Sequence, residues 1–230
     1  MVSVIIPAYN EEDTIEAVVA SVFGHPDVKE ILVIDDGSHD KTAERAKRAG
    51  ATVIRMPYNV GKAQAMNAGV YTAVNDIILF LDADNIGLTH ATLSRLINPV
   101  KDGTHGMYVG IHARTTPFVD SLHAFLPILS GKRALRRAVW SSVPDVYKEG
   151  FQIEIALNYF SKKNGHGMGF EVLEGVICIP KERKYGFVKG FLQRLKMMYD
   201  VCSISFRLYI VYALSSAIKN MKEVSKIPRL

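Results

Sequence analysis

The chain has 230 residues, 48% of them hydrophobic and 22% charged, which is typical of one sizeable soluble domain with a full core. No linker rich in Gly, Ser and Pro divides it, so two linked domains are not expected. The formal net charge of +5 fits phosphorylated ligands, an anionic membrane surface or nucleic acid, and does not choose among them.

The location of the protein is predicted from its cysteines and its apolar segments. Cys178 and Cys202 show no metal-type spacing and imply no disulfide scaffold, so we expect buried free thiols in a reducing cytoplasm. The apolar start Met1–Pro7 lacks a basic region and is typical of a first strand, not of a signal peptide. No uninterrupted apolar stretch reaches the ~20 residues that span a bilayer. The sequence therefore predicts a cytoplasmic protein, either soluble or peripheral on the inner face of the membrane.

The first half of the chain alternates predicted strands with predicted helices. Helical spacing of apolar residues begins at Ile15, and Gly24 and Pro26 end that helix. Short, nearly all-apolar strands that alternate with helices predict an α/β fold with a mostly parallel sheet covered on both faces. The predicted strands are Val2–Ile6, Ile31–Ile34, Thr52–Met56 and Ile77–Leu81, and further helices are expected near 42–50 and 62–74.

The second half is less regular. Thr89 predicts the N-cap of a helix that runs to about Val100. The segment Thr115–Leu129 is ambiguous, because it mixes apolar residues with two prolines. Strands are predicted at Gly106–His112 and Phe170–Ile179, and helices at Phe151–Lys163 and from Phe187 onward.

Two carboxylates, Asp82 and Asp84, follow the apolar strand Ile77–Leu81. Their i, i+2 spacing projects them to the same side of the backbone. A hard divalent ion that also holds a diphosphate fits such a pair, because Mg²⁺ takes its other ligands from phosphate and water. Ordinary turn aspartates at a strand end explain the pair equally well. A second acidic turn, Asp35–Ser38, favours the functional interpretation, because ligands of open α/β sheets bind at the carboxyl ends of strands.

The first strand–helix turn carries an aromatic and several polar residues. Tyr9 offers a stacking surface for a base, and Asn10 or Glu11 offers hydrogen bonds, although a helix cap with a surface tyrosine explains the same residues. Gly61 and Lys62 supply a flexible turn and a cation at a helix start, suited to phosphate or nucleotide contact. The chain has neither a Gly-x-Gly-x-x-Gly nor a Walker sequence, which disfavours a dinucleotide site and a P-loop.

Together, four ordered segments resemble the nucleotide-sugar half of family 2 glycosyltransferases, which have the GT-A fold. These segments cover roughly the first ninety residues: Val2–Glu12, Val33–Thr42, Asn59–Ala63 and Leu81–Asp84. The resemblance implies a Rossmann-like sheet with helices on both faces. It divides the chain into a catalytic domain over 1–186, with a nucleotide-sugar half over about 1–100, an acceptor half over about 101–186, and an amphipathic helical tail over 187–230.

The resemblance also implies a nucleotide-diphosphate sugar donor, of UDP or GDP type, held with Mg²⁺ or Mn²⁺. Asp82 would lie near the ribose and the metal, and Asp84 would be the main metal ligand. A metal fixed in this way would offset the negative charge that develops on the departing diphosphate. The residues expected around the donor are Pro7, Tyr9, Asn10, Glu11, Asp36, Gly61, Lys62, Asp82 and Ala83.

The acceptor half carries a basic run. The segments Ser130–Arg137 and Gly150–Glu154 resemble the acceptor region of enzymes that use polyprenyl phosphates, and also that of the glucosyl-phosphoglycerate synthase group. A cationic clamp on an acceptor phosphate is one interpretation, and a solvated basic helix is the other. The expected clamp consists of Lys132, Arg133, Arg136 and Arg137.

Glu154 is the candidate catalytic base. It sits among apolar residues, a setting that raises a carboxyl pKa toward a useful range, but a structural ion pair with a nearby arginine explains it as well. Many family members place a histidine after the late strand as a further metal ligand, and Ile179–Lys184 has none. His112, His123 and His166 are the substitutes that the sequence offers, each with a structural or surface role as the simpler explanation.

The tail from Phe187 onward mixes bulky apolar residues with cations. An interfacial helix on an anionic membrane fits this composition. A helix packed on the domain core or at a homodimer interface fits it equally well.

From these patterns we predict a metal-dependent hexosyltransferase that moves a sugar, with inversion, from a nucleotide-diphosphate sugar to a phosphate-bearing or lipid-linked acceptor. Nucleic acid is not among the expected partners. One alternative is a retaining enzyme of the glucosyl-3-phosphoglycerate synthase type. Another is a non-catalytic module that binds a nucleotide sugar and docks on a membrane.

Overall fold

A computed structural model gives the structure of the chain and describes residues 1–112, 130–150, 152–178, 199, 202–211 and 214. Seven strands form one mixed sheet in the order β3-β2-β1-β4-β7-β6-β8. The strands of this sheet are β1 (Val2–Ala8), β2 (Val28–Asp35), β3 (Thr52–Arg55), β4 (Ile77–Phe80), β6 (Met107–His112), β7 (Arg133–Arg136) and β8 (Met168–Leu173). Two short antiparallel strands, β5 (Asn85–Ile86) and β9 (Ile177–Cys178), form a second sheet.

The first four strands are parallel, as the apolar runs predict. Their side chains alternate between two hydrophobic cores, one on each face of the sheet. In β4, Leu79 packs into one core, and Ile78 and Phe80 pack into the other. A sheet buried on both faces accounts for strands without polar alternation. The predicted α/β class is therefore confirmed.

Strand β7 excludes one of the two interpretations of Ser130–Arg137, the solvated basic helix. Residues 133–136 form a central strand, antiparallel to both β4 and β6. Arg133 and Arg136 stand at its two ends, and Ala134 and Leu135 between them are fully buried. The charged residues kept this strand from being predicted. A buried arginine is tolerated only where tertiary contacts satisfy its donors, and the sequence does not show such contacts.

In the described part of the chain up to residue 178, six α-helices cover the two faces of the sheet. Helix α1 (Ile15–Val22) buries Ile15, Val18, Val19 and Val22, the four residues of its apolar spacing. Helix α4 (His90–Lys101) begins at the predicted N-cap, Thr89, which accepts a hydrogen bond from the backbone N–H of Thr92. The others are α2 (Thr42–Arg48), α3 (Lys62–Thr72), α5 (Arg137–Ser141) and α6 (Gln152–Lys163).

The described part of the tail is helical over 202–211 and packs on the domain. Ile204 and Leu208 are buried in the core that also contains Met107 and Phe160. Among the residues the structure describes, no helix is long and apolar enough to cross a membrane. Cys202 is a free thiol, and its exposure corrects the prediction that it is buried. The proposed domain boundary at 186–187 and the segment Thr115–Leu129 lie outside the described residues.

Candidate active site

The candidate site lies at one edge of the large sheet. The carboxyl ends of β1, β2, β3 and β4 meet there, because these strands are parallel. Strand β7 runs the other way, so its amino end lies at the same edge: Arg133 pairs with Phe80, two residues before Asp82. The topology thus brings the first turn, the acidic turn after β2, the Asp82–Asp84 turn and the segment before β7 to one place.

Asp36 stabilises the turn before α3 by accepting hydrogen bonds from its backbone. One carboxylate oxygen accepts the N–H of Val60 at 2.7 Å, and the other accepts the N–H of Gly61 at 2.9 Å. Burial raises the pKa of Asp36, and the two backbone donors oppose that rise. Gly37 has a φ of 75°, and a Cβ there would stand 2.7 Å from the backbone carbon of Tyr58. Only glycine allows the acidic turn to approach the Tyr58–Gly61 loop this closely.

The first turn is held against the acidic turn by reciprocal hydrogen bonds. The N–H of Asn10 donates to the Ser38 hydroxyl at 2.9 Å, and the Asn10 side-chain oxygen accepts the N–H of His39 at 2.9 Å. The N–H of Glu11 donates to the Thr42 hydroxyl at 2.8 Å. Pro7 and Tyr9, both half-buried, flank the end of β1. The predicted donor residues of the two turns therefore lie together.

Lys62 joins two acidic residues that are far apart in sequence. Its Nζ lies 2.8 Å from Oδ1 of Asp82 and 2.9 Å from Oε1 of Glu154. Burial lowers the pKa of Lys62, but the two carboxylates more than offset this and raise it overall. Glu154 is thus ion-paired, with a lysine of α3 rather than with the arginine that the sequence analysis considered. The predicted base stands within the candidate site, already in contact with a cation.

Asp82 rests against the backbone at Gly131. A Cβ on Gly131 would stand only 2.0 Å from Oδ1 and 2.3 Å from Oδ2. Burial tends to raise the pKa of Asp82, but Lys62, and then Lys132 and Arg133, outweigh it and hold the pKa below its usual range. The carboxylate is therefore ionised and surrounded by positive charge.

Arg133 has a structural role in this structure. Its side chain is fully buried, and it donates to the carbonyl oxygens of Ser130 and Glu154 and, at 3.3 Å, to the side-chain oxygen of Asn158. Burial lowers its pKa. These bonds tie the first turn of α6, which carries Glu154, to β7. An arginine with its donors used in this way is not placed to clamp an acceptor phosphate, which corrects that prediction.

Arg136 and Arg137 lie at the opposite end of the sheet. Arg136 pairs with Ile77 at the start of β4, and its guanidinium contacts Asp76 at 3.4 Å. Arg137 donates to the backbone carbonyls of the α3–β4 connection, including Ala73 at 2.6 Å. The structure does not bring these two residues to the site. Of the four predicted clamp residues, Lys132 and Arg133 lie near enough to Asp82 to lower the pKa of that carboxyl, and Arg133 is hydrogen-bonded to helix α6.

The residues at this edge fit a divalent cation of the Mg²⁺ type. Asp82 and Asp84 follow β4, and Asp84 is half-buried. Within the described residues, no three His, Cys, Asp or Glu side chains cluster as a complete metal cage. Two carboxylates without a third ligand suit a hard ion that takes its remaining ligands from a diphosphate and water. His166 cannot complete the set, because it lies at the other end of the sheet, beside Gly106 before β6.

Two residues of the site were not identified from the sequence. No sequence pattern near Gly131 shows that a glycine is needed there. The glycine is needed because the carboxylate of Asp82, 49 positions away in the chain, lies against it. Thr42 was assigned to a helix start and not to the contact with Glu11. A hydroxyl two residues after Asp40, at the edge of an acidic turn, is a weak signal of such a contact.

Comparisons with known proteins agree with this arrangement. A family model described as Glycosyl transferase family 2 matches residues 3–148, more than half of the chain. The chain is 30% identical over 193 residues to glucosyl-3-phosphoglycerate synthase of Mycobacterium tuberculosis, covering 68% of this chain and 59% of the relative. It is 26% identical over 247 residues to undecaprenyl-phosphate 4-deoxy-4-formamido-L-arabinose transferase of Pectobacterium atrosepticum, covering 94% and 72%. The chain thus spans about three fifths of the length of the first of these relatives.

Solved structures give the same result. Glucosyl-3-phosphoglycerate synthase from Mycobacterium tuberculosis, in complex with Mn²⁺, uridine diphosphate and phosphoglyceric acid, matches with a TM-score of 0.72 at 26% identity, covering 90% of this chain and 77% of that one. Its complex with phosphoglyceric acid gives 0.71 at 25% identity, covering 89% and 79%. These matches confirm the fold and the family that the motifs predict. The chain therefore belongs to glycosyl transferase family 2.

Proposed function

We propose that the chain is a metal-dependent glycosyltransferase that takes a sugar from a nucleotide-diphosphate donor and passes it to a phosphate-bearing acceptor. The observation that carries the proposal is the meeting of Asp36, Lys62 and Asp82 at the carboxyl edge of the sheet. The family match and the Mn²⁺ and uridine diphosphate of a related structure support the same donor class.

Each residue has a distinct task in this proposal. Asp36 and Tyr9 lie where the turns after β1 and β2 meet, so they would receive the nucleoside. Asp82 and Asp84 would hold Mg²⁺ or Mn²⁺, which would supply charge stabilisation to the departing diphosphate. Lys62 stands beside Asp82 and would donate to a phosphate oxygen.

The acceptor is proposed to carry a phosphate, because the segment before β7 brings a cation to the site. Lys132 is buried, and it is close enough to Asp82 to lower the pKa of that carboxyl. The two curated relatives are named for a phosphoglycerate product and for an undecaprenyl phosphate. Both names contain a phosphate, which supports this acceptor class and leaves the choice between a small and a lipid acceptor to experiment.

The donor is tested with a hydrolysis panel. The purified chain is incubated with UDP-, GDP- and dTDP-sugars in Mg²⁺ or Mn²⁺, and release of the nucleoside diphosphate is measured. We expect slow, metal-dependent hydrolysis of one donor class, and no hydrolysis when a chelator is added. Hydrolysis that is insensitive to the chelator contradicts the metal assignment. Donor binding without hydrolysis favours the non-catalytic alternative, and the absence of both binding and hydrolysis contradicts the donor assignment.

The acceptor class is tested with Glu154→Gln. If the acceptor reacts through a hydroxyl group, it needs a base. Glu154→Gln then lowers turnover by about 10²–10⁴-fold, while the affinity for the donor is kept. A phosphate acceptor is already ionised near neutral pH, so Glu154→Gln is expected to be mild, and Lys132→Gln is expected to raise the KM for the acceptor more strongly. Phosphoglycerate and a short prenyl phosphate are the two acceptors to compare, and NMR of the product reads the anomeric outcome.

We further propose that the protein works at the cytoplasmic surface of a membrane, docked through its tail. Positive charge is concentrated there, since residues 181–230 carry eleven Lys and Arg against three Asp and Glu, whereas residues 1–180 carry seventeen against twenty. The described helix over 202–211 buries Ile204 and Leu208 and leaves Phe206, Tyr209 and Ile210 exposed. Apolar side chains among cations fit the boundary of an anionic bilayer.

Vesicle co-sedimentation tests this docking. Truncation of the tail is unsuitable, because it removes Ile204 and Leu208 from the core. The double variant Phe206→Ser, Ile210→Ser keeps that core and is expected to bind anionic vesicles less tightly than the wild type, which should itself release from them as salt rises. Equal sedimentation of wild type and variant, or no binding by the wild type, contradicts the docking proposal and leaves the transferase proposal standing.

A further inference from the structure

The ammonium of Lys62 contacts Oδ1 of Asp82, one of the two carboxylates proposed to hold the metal. The lysine is the first residue of α3, and its side chain extends to the end of β4 on one side and to the first turn of α6 on the other. Its exposed fraction is 30%, against 25% for Asp82 and 7% for Glu154. One cation therefore neutralises two partly buried carboxylates.

The backbone that carries Lys62 is held in place, whereas its ammonium group is free to move at the end of a long side chain. Asp36 holds the N–H groups of Val60 and Gly61, the two residues that precede Lys62. Four methylene groups separate the anchored backbone from the ammonium, so the charge can change partners without movement of the helix. An ammonium carries three donors, and the two carboxylates account for two of them.

We propose that Lys62 is a built-in counter-ion that holds the place of the divalent cation, so that the metal enters together with the nucleotide diphosphate and not before it. This inference rests on the proposed function. A bare metal ion must displace the tethered ammonium from Asp82, and it gains only one or two carboxylates in return. A metal–diphosphate complex also brings phosphate oxygens, which accept the displaced ammonium. Metal and nucleotide binding are therefore positively coupled through Lys62.

The experiment measures Mn²⁺ binding to the full chain by the EPR signal of free Mn²⁺, with and without uridine diphosphate. The variant is Lys62→Gln, which keeps a polar side chain and removes the charge. Lys101→Gln is the matched control. Lys101 is the last residue of α4, away from the site, and the change removes the same charge from its ion pair with Asp27. Circular dichroism and thermal unfolding verify that each variant folds.

We expect Mn²⁺ alone to bind Lys62→Gln about tenfold or more tightly than it binds the wild type, since a cation within 4 Å of a carboxylate strongly disfavours a second one. Uridine diphosphate is expected to tighten Mn²⁺ binding to the wild type much more than to Lys62→Gln. Lys101→Gln is expected to match the wild type in both measurements.

Equal Mn²⁺ affinities for wild type and Lys62→Gln overturn the counter-ion role, and the transferase proposal survives if both still bind Mn²⁺ with uridine diphosphate. Equal gains in Lys62→Gln and Lys101→Gln also overturn it, because they reflect net charge alone. Failure of the wild type to bind Mn²⁺ with any nucleotide diphosphate overturns the function and this inference together. Should Lys62→Gln not fold, the wild type still decides, because tight Mn²⁺ binding without nucleotide contradicts the proposal.

Discussion

The carboxylate of Asp82 lies directly on the backbone of Gly131, so closely that a single methyl group would overlap both of its oxygens. Asp82 lies two residues after the strand β4, and Gly131 precedes the antiparallel strand β7 beside it. The absence of a side chain at Gly131 therefore sets where the carboxylate of Asp82, a proposed metal ligand, stands. The φ of Gly131 is not positive, so the backbone conformation does not require a glycine there. A glycine is needed because a side chain would not fit.

Gly131→Ala is expected to weaken binding of the metal–nucleotide complex by about tenfold to a hundredfold. The added methyl group must push Asp82 away, and overpacking of this kind costs about 1–3 kcal/mol, which is taken from either stability or binding. Calorimetric titration with uridine diphosphate and Mn²⁺ measures the loss. Gly103→Ala is the control, because it introduces strain at a φ of 77° far from the site and should lower stability without weakening binding. Unchanged affinity together with unchanged stability in Gly131→Ala contradicts the close packing of Asp82 on Gly131.

Asp84→Asn is expected to abolish metal-dependent donor binding and leave the fold intact. Asp84 is half-buried in the turn after β4, and loss of a metal–diphosphate contact removes several kcal/mol of stabilisation, or about 10²–10³-fold in donor hydrolysis. Asp76→Asn is a matched control, because Asp76 pairs with Arg136 at the other end of the sheet. Full activity of Asp84→Asn, together with insensitivity to a chelator, would show that the metal ligand is elsewhere.

Arg133→Met is expected to lower the free energy of unfolding by about 3 kcal/mol or more. The change leaves the carbonyl oxygens of Ser130 and Glu154 in a buried place without their donor, and unsatisfied buried groups are costly. Arg136→Met removes an exposed ion pair and should cost about 0–1 kcal/mol. Urea denaturation compares the two. A large loss of acceptor affinity in Arg133→Met, with little loss of stability, would restore the clamp interpretation.

Local patterns were sufficient for the first half of the chain, where the donor site is proposed. The four residues of the apolar spacing in α1 are buried together, and Thr89 caps α4. The turns that carry Asp36 and Asp82 lie where parallel strands place them. In this half the strands and helices follow from their own apolar spacing, whereas contacts between turns, such as that of Glu11 with Thr42, do not.

The acceptor half depended on contacts that spacing does not reveal. A solvated basic helix was one of two interpretations of Ser130–Arg137, and residues 133–136 form a strand whose Arg133 donates to groups of α6. An ion pair with a nearby arginine was the alternative interpretation of Glu154, whereas its carboxylate pairs with Lys62, 92 positions away. Gly131 is required by Asp82, from another strand. Such residues are determined by the packing of distant segments, which one sequence does not contain.

A buried histidine lies away from the site, between α1 and α4. His25 is 3% exposed, its Nδ1 accepts the N–H of Asp27 at 3.2 Å, and its Nε2 lies 2.9 Å from the Ser94 hydroxyl. Because Nδ1 is an acceptor, the neutral ring carries its proton on Nε2 and donates to Ser94. The His90 ring is 5.2 Å away, and Lys101 contacts Asp27. Protonation would place a second hydrogen against the N–H of Asp27.

This histidine is expected to make stability fall in mild acid. Burial lowers the pKa of His25 in the folded protein, and His90 lowers it further. Below about pH 6.5 the unfolded chain therefore binds a proton at this histidine before the folded chain does. The free energy of unfolding therefore decreases as pH falls through this window, by at most about 1.4 kcal/mol per pH unit, and levels off below the folded pKa. Urea denaturation between pH 8 and pH 5 measures the slope. His25→Gln should flatten it and the exposed His39→Gln should not, whereas equal slopes in wild type and His25→Gln would assign the acid sensitivity to other groups.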